Sequence, residues 1–155
     1  MATQNGTVKK TALTSFARQR SSGLIALTLE EGDHLVGVAV TDGSKDIMLF
    51  ADNGKAVRFN EQDVREMGRT ARGVRGIRLT DDEKLLSLII PAEDGTVLTA
   101  SENGYGKRTS HYDFRVTNRG GKGIIGIVNS ARNGNVSSSF TVYEGDQILI
   151  STNKG

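Results

Sequence analysis

The chain has 155 residues, the length of one ordinary domain, with 36% hydrophobic and 25% charged residues, a composition that folds rather than staying disordered. It contains no cysteine, which excludes a disulfide framework and any thiolate metal site and fits a reducing compartment. No apolar run approaches the roughly 18 residues of a membrane-spanning helix, and Met1–Lys10 lacks the apolar core of a signal peptide.

Nineteen glycines, one proline and no tryptophan predict many tight turns between short strands. From the N-terminus onward, the same elements return at a period near fifty residues. Asn-Gly turn signals stand at Asn5-Gly6, Asn53-Gly54 and Asn103-Gly104, with Asn153-Lys154-Gly155 as a degenerate fourth, and the glycines are 48, 50 and 51 residues apart. Gly23–Leu27 aligns with Gly73–Ile77 and Gly123–Ile127 at spacings of 50 and 50, and Leu35-Val36 aligns with Leu85-Leu86 and Val136-Ser137 at 50 and 51. Three anchors on one period mark an internal repeat. The units are 1–47, 48–97 and 98–147, with 148–155 opening a further one.

The middle unit shows what each repeat contains. Ile47–Phe50 reads as a short apolar strand, Asn53-Gly54 as the positive-φ pair of a tight hairpin turn, and Ala56–Phe59 as the returning strand. A polar stretch, 60–72, leads to Val74–Leu79, which alternates apolar with basic or glycine. Thr80-Asp81-Asp82 is a turn, and Leu85–Ile90 is a buried strand closed by Pro91. Four strands per fifty residues without helical periodicity predict an all-β fold, a propeller-like arc of four-stranded blades. Closed propellers have about 4–8 blades, so three units expose two sheet edges. The sequence therefore reads as an excerpt of a longer chain, and self-association through those edges is a further expectation.

Lysine and arginine total 20 against 18 acids, for a net charge of only +2. The charges are nevertheless sorted in phase with the repeat. Residues 1–29, 55–78 and 103–132 are net basic, while 30–46, 79–102 and 133–147 are net acidic. Local field, not the sum, governs the attraction of a charged partner. The basic positions recur: Lys10, Arg58 and Arg108 stand four residues after each turn glycine, Lys9 and Lys107 precede two of them, Arg69 matches Arg119, and Arg72 matches Lys122. With Arg18, Arg20 and Lys55, these twelve residues are the candidate contacts for a regularly spaced row of phosphates. No aromatic residue interleaves regularly with them, which favours duplex backbone over a stacked single strand.

Other motifs carry less. Gly121-x-Gly123-x-x-Gly126 matches a dinucleotide fingerprint in letters only, because β-branched residues follow where a helix should open. His34 and His111 have no spaced partner for a metal or a triad and read as surface residues. Asp81-Asp82-Glu83 reads as a polar turn. Tyr105, Tyr112 and Tyr143 lack a general-base arrangement, and no catalytic residue is identified.

Asn103-Gly104-Tyr105-Gly106-Lys107-Arg108-Thr109, Gly73-Val74-Arg75-Gly76-Ile77-Arg78-Leu79 and Asn118-Arg119-Gly120-Gly121-Lys122-Gly123 together resemble the C-terminal domain of DNA gyrase A, over essentially the whole chain. The resemblance implies a β-pinwheel of four-stranded blades that exchange strands with their neighbours, and a basic perimeter that wraps duplex DNA in support of ATP-dependent negative supercoiling by a type II topoisomerase. It implies a bacterial, cytoplasmic, chromosome-associated protein whose partners are duplex DNA, the rest of gyrase A, and gyrase B. ATP and magnesium would act elsewhere in the holoenzyme, and this stretch would be inactive alone. The family's box, approximately Gln-Arg-Arg-Gly-Gly-Lys-Gly, belongs to the first blade; its nearest match here, Thr117–Gly123, lies in the third unit, begins Thr117-Asn118, and reads as a related loop. The homologous domain of topoisomerase IV and a protein-binding propeller are the alternatives.

Overall fold

Ile47-Met48-Leu49-Phe50 is apolar without alternation because its strand is covered on both faces. In the computed structural model, which describes residues 1–155, β4 (Asp46–Ala51) and β5 (Lys55–Asn60) form the central hairpin. Leu49, Ala51, Val57 and Phe59 enter one apolar cluster with Ala2, Val8, Val64, Ile77 and Leu85. Met48, Phe50 and Ala56 enter a second with Ile89, Val97 and Phe114. There the Phe50 and Phe114 rings meet edge to face, with centroids 5.4 Å apart.

The eleven strands make three antiparallel sheets, and no α-helix forms. The first sheet orders β3 (Leu35–Gly37), β1 (Ala2–Thr3), β2 (Thr7–Val8) and β6 (Val74–Arg75). The second orders β7 (Leu85–Ile89), β4, β5 and β10 (Ile124–Ile125). The third has β11 (Val136–Val142), β8 (Thr96–Ser101) and β9 (Gly106–Ser110). Short 3-10 turns at Leu13–Phe16, Glu61–Asp63 and His111–Asp113 lie beyond the three hairpins.

Strand ownership differs from the order of the sequence units. β6 comes from the middle repeat but pairs with β2 of the first sheet, Thr7 opposite Arg75 and Val8 opposite Val74. β10 comes from the third repeat but pairs with β5, Ile124 opposite Ala56 and Ile125 opposite Lys55. Each of these repeats thus lends a strand to the sheet before it. The ladder at β6 covers two residues, not the whole alternating stretch to Leu79, because the Gly76 and Ile77 N–H groups both turn to the Gly6 carbonyl (2.8 and 3.3 Å). The third sheet receives no lent strand, so β9 keeps a free edge. The segment equivalent to the lent strands in the first repeat, around Ile25, forms no strand, and Ile25 is exposed.

The hairpin turns also differ from the expected two-residue type. No residue other than glycine has positive φ. In the central hairpin only Gly54 is left-handed (φ 82°), and its N–H donates to the Ala51 carbonyl at 3.1 Å. Gly104 repeats this at φ 82°, donating to Ser101 at 3.0 Å. This is the three-residue loop whose last position is a left-handed glycine.

The two glycines share a conformation but not surroundings. A Cβ on Gly54 would lie 2.3 Å from the Ile127 carbonyl oxygen, just beyond the lent strand, whereas one on Gly104 would meet nothing within 4 Å. Gly104→Ala should therefore cost about 1 kcal/mol, the backbone term alone, and Gly54→Ala about 1–3 kcal/mol more from the collision. Urea unfolding of the two variants checks this; equal losses would mean that the lent segment does not pack on the hairpin.

Candidate nucleic-acid interface

One edge of each sheet packs on the equivalent edge of the next, β3 on β7 and β7 on β11. The opposite edge belongs to the lent strands β6 and β10 and to the linkers that bring them there, and the cations gather along this outer edge. They fall into two groups: those bonded across the junctions between sheets and those left in solvent.

The recurring cations are mostly bonded. Lys10 Nζ donates to the Glu61 carbonyl at 3.0 Å, and Arg58 Nη1 donates to the carbonyls of His111 and Phe114 at 3.1 and 3.2 Å. Both side chains therefore reach the 3-10 turn of the following repeat. Lys9 Nζ donates to the carbonyls of Ala26 (2.7 Å) and Arg69, and Lys107 Nζ donates to Gly126 at 3.3 Å. Arg69 Nη1 donates to the Ile25 carbonyl at 3.0 Å, and Arg119 Nη1 to the Arg75 carbonyl at 2.6 Å. Repetition of the cations thus follows the repetition of the sheet junctions, which present the same carbonyls once per period.

Two candidates are corrected outright. Lys9 is buried, at 3% exposure, and cannot meet a phosphate; burial lowers its ammonium pKa from the usual 10.5, with the nearby Arg69 charge adding to the effect. The Arg58 side chain is 12% exposed and forks onto Asp46 Oδ2 through Nε at 2.9 Å and Nη2 at 2.8 Å. Asn60 Nδ2 donates to the same carboxylate at 3.1 Å. Arg108, its repeat equivalent, keeps the geometry but not the burial: Nε donates to Thr96 Oγ1 and Nη2 pairs with exposed Glu144, both at 2.9 Å. His111, expected at the surface, is fully buried, with Nδ1 beside the Ala92 backbone (3.1 Å to its carbonyl oxygen) and Nε2 3.4 Å from Thr141 Oγ1.

Of the remaining candidates, Arg18, Arg20 and Lys122 are exposed, Lys55 is half-buried at the start of β5, and Arg72 lies 3.8 Å from exposed Glu30. The structure adds Arg65, Arg75, Arg78 and Arg115, all exposed and outside every ion pair. Arg75 lies on β6 itself and Arg78 just beyond it; Arg65 and Arg115 follow equivalent 3-10 turns. The alternation of Val74–Leu79 is the sequence signal for the first two: Ile77 is buried while Arg75 and Arg78 face out. The acids Asp81 and Asp82 are exposed in the turn that follows Arg78.

The arrangement suits an extended polyanion better than a small ligand. A cleft of about 770 Å³ between the first two sheets is lined mainly by apolar side chains such as Leu13, Phe16, Val38 and Val40. No three His, Asp or Glu side chains converge as a metal site would need. No helix is long and apolar enough to cross a membrane.

Comparison with known proteins settles the family. The family described as DNA gyrase C-terminal domain, beta-propeller, matches residues 1–42, 45–92 and 95–149. The chain belongs to the DNA gyrase C-terminal domain family. It is 52% identical over its whole length to the DNA gyrase A protein of Salmonella typhimurium, 52% to that of Pseudomonas aeruginosa and 50% to that of Escherichia coli K12. It spans only 17–18% of the length of those relatives. Among solved structures, the C-terminal domain of DNA topoisomerase IV superimposes with a TM-score of 0.84 at 29% identity, over 92% of this chain and 45% of that one. The DNA gyrase A C-terminal domain gives 0.79 at 26% identity, over 92% and 48%.

The contrast between equivalent arginines gives a direct test. Arg58→Ala should cost this gyrase-type domain about 2–4 kcal/mol, because it strands the Asp46 carboxylate and frees two carbonyls of the next repeat. Arg108→Ala should cost about 1 kcal/mol or less, as an exposed pair does. Denaturant midpoints of the two variants measure the difference, and similar losses would contradict the junction role of Arg58.

Proposed function

We propose that this chain binds and bends duplex DNA without sequence preference, as a portion of the C-terminal domain of a bacterial DNA gyrase A protein. The observation that carries the reading is the outer edge, where Arg72, Arg75, Arg78 and Lys122 stand exposed on and beside the lent strands, flanked by Arg65 and Arg115. Arg18 and Arg20 extend the exposed set into the first repeat. Phosphate contacts from such a row position a duplex without reading bases, so any preference would come from bendability. Smooth bending of 20–30 base pairs costs on the order of 1–6 kcal/mol, which several charge-assisted contacts of about 1.5–3 kcal/mol each offset.

In this reading, the rest of gyrase A and the whole of gyrase B are the partners within a cytoplasmic holoenzyme acting on the chromosome. DNA cleavage and the ATP and magnesium chemistry belong to those other parts, and this portion contributes the path of the DNA. What favours gyrase is the identity of 50–52% over the whole chain to DNA gyrase A proteins; the two solved domains, at 29% for topoisomerase IV and 26% for gyrase A, do not separate them.

Six to eight phosphates neutralised along the edge would give a slope of log affinity against log salt near −5 to −7, and a loss of about 10³–10⁵ in affinity between 50 and 200 mM salt. Fluorescence anisotropy with a labelled duplex across that range measures it. A flat salt response would overturn DNA binding, and a partner protein bound without DNA would favour the interaction-module reading.

A further inference from the structure

The outer edge is stitched as well as charged. Gly120 N–H donates to the Gly76 carbonyl and Arg78 N–H donates to the Gly121 carbonyl, both at 2.8 Å. These two bonds run directly between the linker of the third repeat and the segment just beyond the strand lent by the second. Arg119 closes the stitch from the side, with Nη1 on the Arg75 carbonyl at 2.6 Å and Nε on the Asp63 carbonyl at 3.1 Å. One guanidinium thereby ties the lent strand of the first sheet to the 3-10 turn that follows the second hairpin. One period earlier the seam recurs. Thr28 N–H donates to Ala71 at 3.3 Å, Thr28 Oγ1 to Thr70 at 2.6 Å, and Arg69 Nη1 to Ile25 at 3.0 Å.

Arg69 and Arg119 are only half-buried, so burial alone does not separate a junction role from phosphate contact. Their bonding does. The planar Arg119 guanidinium donates from two separate nitrogens to main-chain carbonyls of two different elements, whereas a lysine ammonium would offer one nitrogen to both. The cations left outward, Arg72, Arg75 and Lys122, are carried on the segments these bonds hold.

We propose that Arg119, with Arg69 as its repeat equivalent, is a positioning residue that fixes the angle between successive blades at the outer edge, and that this angle, not its charge, is its contribution to DNA bending. The proposal rests on the DNA-binding reading above. It predicts that charge and fork can be separated: Arg119→Lys keeps the first and loses the second, while Arg119→Gln loses both.

The experiment uses the full chain. Its lack of cysteine allows clean labelling of Glu31→Cys and Ala131→Cys, exposed turn positions in the first and third repeats. Spin-label distances in the free protein report the blade angle, energy transfer across an end-labelled duplex reports the bend, and a salt series reports the phosphate count. Arg119→Lys should broaden and shift the label distances and lose part of the bend, with the wild-type salt slope retained. Arg119→Gln should also keep that slope, whereas Arg75→Gln should reduce it by about 0.9, the loss of one phosphate contact. An unchanged distance distribution in Arg119→Lys, or a slope reduced by about 0.9 in Arg119→Gln, would overturn the proposal. Arg69→Gln, which removes the single Nη1 bond to the Ile25 carbonyl, tests the preceding junction by the same label distances if an Arg119 variant fails to fold. If wild-type DNA binding proves independent of salt, the DNA reading fails by itself, while the label distances still decide whether the fork sets the angle.

Discussion

The whole arrangement depends on main-chain pairing between neighbouring repeats. β5 has its outer partner only because β10, from the next repeat, lies against it, and β2 has its partner only because β6 does. A two-stranded hairpin is marginal by itself, and the first two sheets complete theirs with a strand from the next repeat, so a blade here is not a segment of sequence but a shared object. The same sharing buries Ile77, just beyond β6, in the cluster that joins the first two sheets. Close approach of the lent segment is why position 76 is a glycine: a Cβ there would press on Val8 and Leu49 at 2.6 and 2.7 Å.

Charge serves two ends on this scaffold. A cation enclosed between sheets is costly unless its donors are met, and Lys9 and Arg58 meet theirs on carbonyls and, for Arg58, on Asp46. These bonds hold neighbouring repeats together and remove those charges from the surface field. The cations that remain in solvent stand on and beside the lent strands, and of these Arg72 lies 3.8 Å from Glu30 of an acidic turn. A chain with a net charge of +2 thereby keeps Arg65, Arg75, Arg78 and Arg115 exposed and outside every ion pair.

Much of the fold is legible in the sequence because its period is legible. Equal spacings at Gly54, Gly73 and Leu85 and their counterparts point to repeated all-β units, of which two sheets have four strands and the third has three, and the motifs around Gly73 and Gly104 point to the family. Strand exchange is not visible in the pattern of residues, since Val74 and Arg75 look the same whichever hairpin they join; only the family resemblance implies it. The site is less legible, for a physical reason. Recurrence suggests a row of phosphates, but a repeated fold also repeats its junctions, and Lys9, Lys10, Arg58, Arg69 and Arg119 recur because the same carbonyls recur. Arg75 and Arg78 lack basic counterparts at Ile125 and Val128, so recurrence does not mark them. Burial of His111 is equally hidden, because the loop around Ala92 that encloses it lies one hairpin away in sequence.

Hydrogen exchange on the chain with and without a duplex tests most directly where the DNA runs. With DNA bound, peptides covering 65–78 and 115–125 should gain protection, while those covering the acidic turns at 30–33 and 80–83 should not. Protection concentrated on the acidic turns, or on β3, β7 and β11 at the opposite edge, would contradict a DNA path along the lent strands.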